Sequence, residues 1–436
     1  MNRLPYLTSQ MTTLILIIFI VGYAAIALEH PIRLNKAASA LITGVLCWTV
    51  YVLWGDNTSH ANAELAEHLG DISGILFFLL GAMTIVELID AHDGFEVISS
   101  RIKTTNKVKL LWIVGLLSFF LSAILDNLTT AIVMVSLMAK IIPGKNTRLL
   151  YCGLIIIGAN AGGAWSPIGD VTTTMLWIGG QISVSQIMLQ VFLPSLVCLV
   201  VPLLILSFQL KGNIGIKEGT NKEVKRGLNN RDRNIVFLAG ITSLILVPVF
   251  KTVTHLPPFM GMMLALGVMW VITEIVHSGQ DTSDKDFLSV LYALRKIDAS
   301  SILFFLGILI SVAALQSTGM LTGLAQWLDS TFKSDRLVVS VIGVLSAIVD
   351  NVPLVAASMG MYGMEQYPAD HEFWLLLAYC AGTGGSILII GSAAGVAAMG
   401  IEKMEFFWYL KKIGWLALVG YIAGILFFLL QLQLFG

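Results

Sequence analysis

Apolar residues run in stretches of about twenty along nearly the whole chain, each long enough to cross a hydrocarbon core of about 30 Å. Candidate spans fall near 11–28, 37–54, 71–91, 149–178, 187–210, 234–250, 257–277, 298–318, 372–400 and 413–434. Two further apolar stretches, 110–139 and 337–361, are interrupted at their centres by an Asp-Asn pair. The first reads "SAILDNLTTAIVM" at 122–134 and the second "SAIVDNVPLVAAS" at 346–358. The pattern predicts an all-α, multi-pass integral membrane protein, with the first apolar run retained as a span.

Lys and Arg in short loops mark the cytoplasmic side. The segment 92–109 carries Arg101, Lys103, Lys107 and Lys109, and 211–233 carries seven basic residues, so both are placed inside. The segment 55–70 has acids but no Lys or Arg and is placed outside. The stretch 110–139 is then flanked by basic residues at both ends, with Lys140, Lys145 and Arg148 following it. Ends on one side and a polar break midway predict a re-entrant hairpin with Asp126 and Asn127 at its tip. Such backbone is tolerated at membrane depth where protein or a watery cavity surrounds it.

Three landmarks recur in order. "DISGILFFLLG" at 71 matches "DASSILFFLGI" at 298, the Asp-Asn stretches match next, and "GGAWSPIGD" at 162 matches "GGSILIIGS" at 384. This predicts an internal duplication. Each copy holds about five spans plus one re-entrant hairpin and a broken helix, and an odd number of crossings inverts the second copy. The first repeat covers 1–210, with its hairpin at 110–139 and its broken helix at 149–178. A cytoplasmic linker covers 211–233. The second repeat covers 234–436, with its hairpin at 337–361 and its broken helix at 372–400. Lys333 and Arg336 before the second hairpin depart from the charge rule. Inverted repeats with broken elements are the architecture of secondary transporters.

Composition narrows the chemistry. The chain is 56% hydrophobic and 12% charged, with a net charge of -1, so nucleic acid is excluded as a partner. Its four cysteines are scattered, with no CxxC, so neither a disulfide framework nor a zinc site is indicated. All seven histidines fall in loops or at span ends on this reading, so any proton crossing the middle must ride on carboxylates. Asp126 and Asp350 can each cap a half-helix, and Pro353 fits the first turn after Asp350. Capping alone does not require a charge, and a carboxylate at membrane depth costs at least a few kcal/mol. The functional alternative is a site for a hard cation or a proton, built from carboxylate, amide and hydroxyl oxygens. Thr129 and Ser122 flank the first pair and Ser346 the second.

A second cluster, "GANAGGAWSPIGDVTTTMLW" at 158–177, breaks a span with glycines and Pro167 and offers Asn160, Ser166, Asp170, Thr172 and Thr173. Its counterpart at 381–400 offers Thr383, Ser386 and Ser392, with Ser392 where Asp170 would fall. The glycines also suit close helix packing. Asp71 and Asp298 are expected to cap span starts.

These three features together resemble the NhaD-type sodium/proton antiporters, within the ion-transporter superfamily that includes sodium-coupled dicarboxylate and citrate carriers. The resemblance covers nearly the whole chain and is most specific at 158–177. It implies exchange of cytoplasmic Na+ or Li+ for external H+ by alternating access, in a bacterial inner membrane. It also implies a homodimer with a scaffold part and a moving part, and no cofactor. Carried onto matching positions, it implies a cation/proton site from Asp126, Asn127, Thr129, Asn160, Ser166, Asp170, Thr172 and Thr173 in the first half. In the second half the positions are Ser346, Asp350, Asn351 and Ser386. Na+ itself would meet Asp126, Asn127, Asp170, Asp350 and Asn351.

The nearest alternative is a sodium-coupled carrier of an organic anion or oxyanion. Carriers of that kind typically have Ser-Asn-Thr at the hairpin tips, and Asp in place of Ser sets negative charge where an anion would sit. An aspartyl protease within the membrane is the rival from the enzyme class. The chain offers "SPIGD" with no second matching stretch, and no enzyme activity is expected.

Overall fold

The computed structural model describes residues 9–54, 58–99, 102, 104–214, 229–278, 287–348 and 350–435. Among these the regular elements are helices, and eight are long and apolar enough to cross a membrane. The first part of the chain gives α1 (Ser9–Ala27), α2 (Lys36–Trp54) and α3 (Thr58–Ala91). Then come α4 (Lys107–Leu125), α5 (Asn127–Ile141), α6 (Lys145–Ala164), α7 (Val171–Ile178) and α8 (Val184–Gln209). The second part gives α9 (Asn230–Thr254), α10 (Pro258–Val276), α11 (Ala299–Ser317) and α12 (Met320–Phe332). It closes with α13 (Asp335–Leu345), α14 (Asn351–Met361), α15 (Glu372–Gly384), α16 (Ala393–Glu402) and α17 (Trp415–Phe435).

The polar interruptions are helix breaks. α4 and α5 meet at Asp126, and α14 starts directly after Asp350. α6 and α7 are parted by 165–170, and α15 and α16 by 385–392. Each downstream half-helix is capped by an oxygen side chain on its own backbone N–H groups. Asp126 accepts from Thr129 N at 2.7 Å, Asp170 from Thr172 N at 2.9 Å, Asp350 from Val352 N at 3.3 Å and Ser392 from Gly395 N at 3.2 Å. Pro353 sits in the first turn of α14, where its missing N–H costs nothing.

Packing sorts the helices into two groups. α1, α2, α3, α9, α10 and α11 pack on one another, while α4 to α8 pack with α13 to α17. The indole of Trp48 on α2 donates to the Ile310 carbonyl of α11 at 2.9 Å and fastens the first group. Within the second, Arg148 and the buried Glu402 pair at 2.8 Å, tying the start of α6 to the end of α16. The groups touch where α11 meets α14 and where α3 meets α7.

Several expectations are corrected. The span predicted at 71–91 is the second half of a longer helix, and most of the supposed loop 55–70 is helical. Ala61, Ala63, Leu65 and Ala66 are strong helix formers, and Tyr51 donates to Glu64 at 2.7 Å to hold that extension. Asp71, His60 and His68 therefore lie within α3, and Asp71 caps nothing; Asp298 does cap its span. The helix α12 was not anticipated. Most of the linker, 215–228, lies outside the described residues.

The two tips differ in backbone. Asp126 has φ 101° and ψ 162°, a region open almost exclusively to glycine, whereas Asp350 has φ -48° and ψ 136°. Holding Asp126 there costs about 1–3 kcal/mol. Asp126→Ala loses the cap and keeps the strain, while Asp126→Gly loses the cap and relieves it. Thermal unfolding in detergent is expected to rank Asp126→Gly above Asp126→Ala, and equal melting would mean the backbone there is unstrained.

Candidate functional site

Asp170 lies at the junction of the breaks and is 1% exposed. One oxygen, Oδ1, accepts from the backbone N–H of Thr172 at 2.9 Å and its hydroxyl at 2.7 Å. The other, Oδ2, accepts from Asn127 Nδ2 at 2.6 Å. Asn351 Nδ2 approaches both oxygens, at 3.3 and 3.4 Å. The amides following both Asp tips thus donate to the same carboxylate. Every contact is from a donor, which suits an ionised acid, and the N-terminus of α7 adds a favourable dipole.

Asn160 forms the second bridge. Its Oδ1 accepts from Asn127 at 3.1 Å, and its Nδ2 donates to Ser386 and Ser392 Oγ, both at 2.9 Å. Asp126 and Asp350 are half-buried. Asp126 is held by Thr129, whose hydroxyl donates at 3.0 Å beside its backbone N–H.

The remaining hydroxyls tie backbone together. Ser122 donates to Ala159 O at 2.6 Å and Ser346 to Ala381 O at 3.1 Å, which staples each tip helix to the neighbouring broken helix. Ser166 donates to Ala123 O at 2.6 Å, and Thr173 to Asp170 O at 2.9 Å. Two glycines make the same contacts possible. A Cβ on Gly162 would overlap the Phe119 carbonyl oxygen, and one on Gly384 would overlap that of Gly343. The close-packing role of these glycines is therefore met at equivalent places in both halves.

A chamber lies against these tips. Of the residues expected at the site, Asp126, Asn127, Thr129, Asp170, Asp350 and Asn351 line it. Asn160, Ser166, Thr172, Thr173, Ser346 and Ser386 stand behind that lining, within hydrogen-bonding networks. The three carboxylates share the chamber without closing on one point, and no group of three or more His, Cys, Asp or Glu side chains converges among the described residues. Any bound ion would complete its shell with amide, carbonyl or water oxygens.

Sequence reasoning missed Lys36. It begins α2 and lines the chamber, with Nζ 3.5 Å from Asp350 Oδ2. It is a basic residue at a span end, and nothing local signals its partner 314 positions away. Ser392, noted as the counterpart of Asp170, also belongs to the network. Among the described residues no histidine lines the chamber. His92 and His277, at the ends of α3 and α10, meet through their Nε2 atoms at 2.8 Å.

Comparisons with known proteins find transporters along most of the chain. A family model described as a citrate transporter matches residues 14–375. Sodium/proton antiporter 1 of Arabidopsis thaliana is 50% identical over 94% of this chain and 70% of its own. Sodium/proton antiporter 2 of the same plant is 44% identical over 95% and 98%. The Na(+)/H(+) antiporter NhaD of Vibrio cholerae is 32% identical over 95% and 91%.

The glycine contacts give a direct test. Gly162→Ala and Gly384→Ala each force two backbones apart and are expected to lower the melting temperature and folded yield. Gly267→Ala, where a Cβ meets nothing within 4 Å, serves as the tolerated control. Equal melting of all three would refute the close-packing account.

Proposed function

This chain belongs to the NhaD-type sodium/proton antiporter family, and on that premise we propose that it exchanges cytoplasmic Na+ or Li+ for external H+ by alternating access. The observation that carries this reading is the chamber itself. Three carboxylates and two amides line it, among them the buried Asp170 bound by the asparagine of each tip. An organic anion would meet Asp126, Asp170 and Asp350 there, and Lys36 already faces one of them. A small cation or a proton meets the charge it needs.

In the mechanism, Asp126, Asp170 and Asp350 take Na+ or Li+ and a proton by turns. The carbonyl ends of α4 and α6 and the amide oxygens offer further ligands, while the N-termini of α5, α7 and α14 steady the carboxylates when the ion departs. Asn127 and Asn351 make Asp170 sense both tips at once. Thr129 and Thr172 hold the acids in place, and Asn160, Ser166, Thr173, Ser346 and Ser386 hold the elements that carry them.

The chain is a multi-pass membrane protein, and the finer architecture is proposed with the function. Two inverted repeats, 1–210 and 234–436, each bring a re-entrant hairpin and a broken helix to the midplane, joined by the 211–233 linker. The first packing group serves as scaffold and dimer interface, and the second carries the ion across. A bacterial cytoplasmic membrane is the proposed location; the relatives named above come from both plants and bacteria.

The test uses everted vesicles from cells lacking their own antiporters, with respiration acidifying the lumen. Na+ or Li+ is expected to dequench an acridine dye in wild type. Asp126→Asn, Asp170→Asn and Asp350→Asn should each fall to the level of empty-vector vesicles, with the folded yield of each variant checked by size-exclusion chromatography. Sodium-dependent uptake of a labelled carboxylate without dequenching would establish the anion carrier instead.

A further inference from the structure

The ion pair of Lys36 and Asp350 spans the two packing groups. Lys36 opens α2 in the first group, and Asp350 caps α14 in the second. Their side chains are 26% and 19% exposed, so the pair is sheltered but reachable from the chamber. The ring of Phe304 on α11 covers the ammonium, with Nζ 4.4 Å from its centroid, and the Lys36 backbone N–H is held by Glu29 at 3.2 Å. The root of the lysine is therefore held within the first group, with Phe304 over its charge.

Resting on the antiporter reading, we propose that Lys36 is a built-in competitor of the transported cation at Asp350 and, while paired, a latch between the two groups. A cargo ion on Asp350 takes the carboxylate away from Lys36 and frees the second group to move. With no cargo bound, the pair re-forms and holds the groups together. This supplies a requirement that acids alone do not meet: strict exchange needs the empty carrier to be hindered from switching sides. Lys251 offers an internal contrast. It crosses the same boundary from α9, with Nζ donating to Trp177 O at 2.9 Å and lying 4.7 Å from that indole. Its acceptor is a backbone carbonyl of α7, so cargo at the acids leaves this contact in place.

The experiment uses the full-length protein in liposomes, following labelled Na+ efflux together with proton uptake by a trapped pH dye. Wild type and Lys36→Arg should move the two ions in a fixed ratio. Lys36→Gln should let Na+ leave with only a fraction of that proton uptake, and its apparent Na+ affinity should tighten by about fivefold, as expected on removing a partly exposed ion pair. Lys251→Gln should change rate and keep the ratio. A Lys36→Gln protein with wild-type ratio and affinity overturns the latch. A second arm needs no variant: acylation of Lys36 in wild type, read by mass spectrometry, should rise when Na+ replaces choline. Equal labelling overturns the proposal even if Lys36→Gln fails to fold. A wild type that moves no Na+ overturns the antiporter reading, while the labelling still judges the latch.

Discussion

A carboxylate buried where lipid and helices surround it must find donors inside the protein, and the centre of this molecule is arranged around that demand at Asp170. Asp170 is 1% exposed, and its hydrogen bonds come from Thr172 on its own helix and from Asn127 and Asn351 on two separate tips. Removing one donor would leave charge uncompensated at a depth where that is expensive. The acid thus obliges the two helix breaks to meet, and Asn160 reinforces the meeting through Ser386 and Ser392. The proposed ion site and the main structural junction are the same object.

The two halves contribute unequally to that junction. Both supply an Asp-Asn tip, a serine staple onto the adjacent helix and a glycine that admits a carbonyl. Asn160 and Asp170 come from the first half, and at the matching places the second has Gly382 and Ser392. Of the three acids, Asp126 sits in strained backbone and Asp350 has a lysine partner. The three acids therefore stand in three different surroundings.

Much of this was legible in the chain. Long apolar runs give the membrane helices because no other spanning segment satisfies its own backbone. The Asp-Asn pairs and "GGAWSPIGD" identify the breaks because charge and clustered glycine are costly inside a span unless a cap or close approach uses them. Those signals are local, so residues 126, 160, 170 and 350 could be named in advance. The misreadings are local too. The acidic stretch 55–70 looked like a loop because it is polar, yet its alanines and the Tyr51–Glu64 contact carry α3 through it.

What the sequence determined by itself is which segments are apolar, where they break and which side chains stand at the breaks, since these follow from neighbours along the chain. Tertiary structure alone decided the partners. That both asparagines turn to Asp170, that six of the expected residues line the chamber while six stand behind it, and that Lys36 reaches Asp350 depend on helices far apart in sequence. Periodicity and propensity carry no information on such contacts, because a hydrogen bond or an ion pair is a distance in space, and only the packing of α2, α7 and α14 sets those distances.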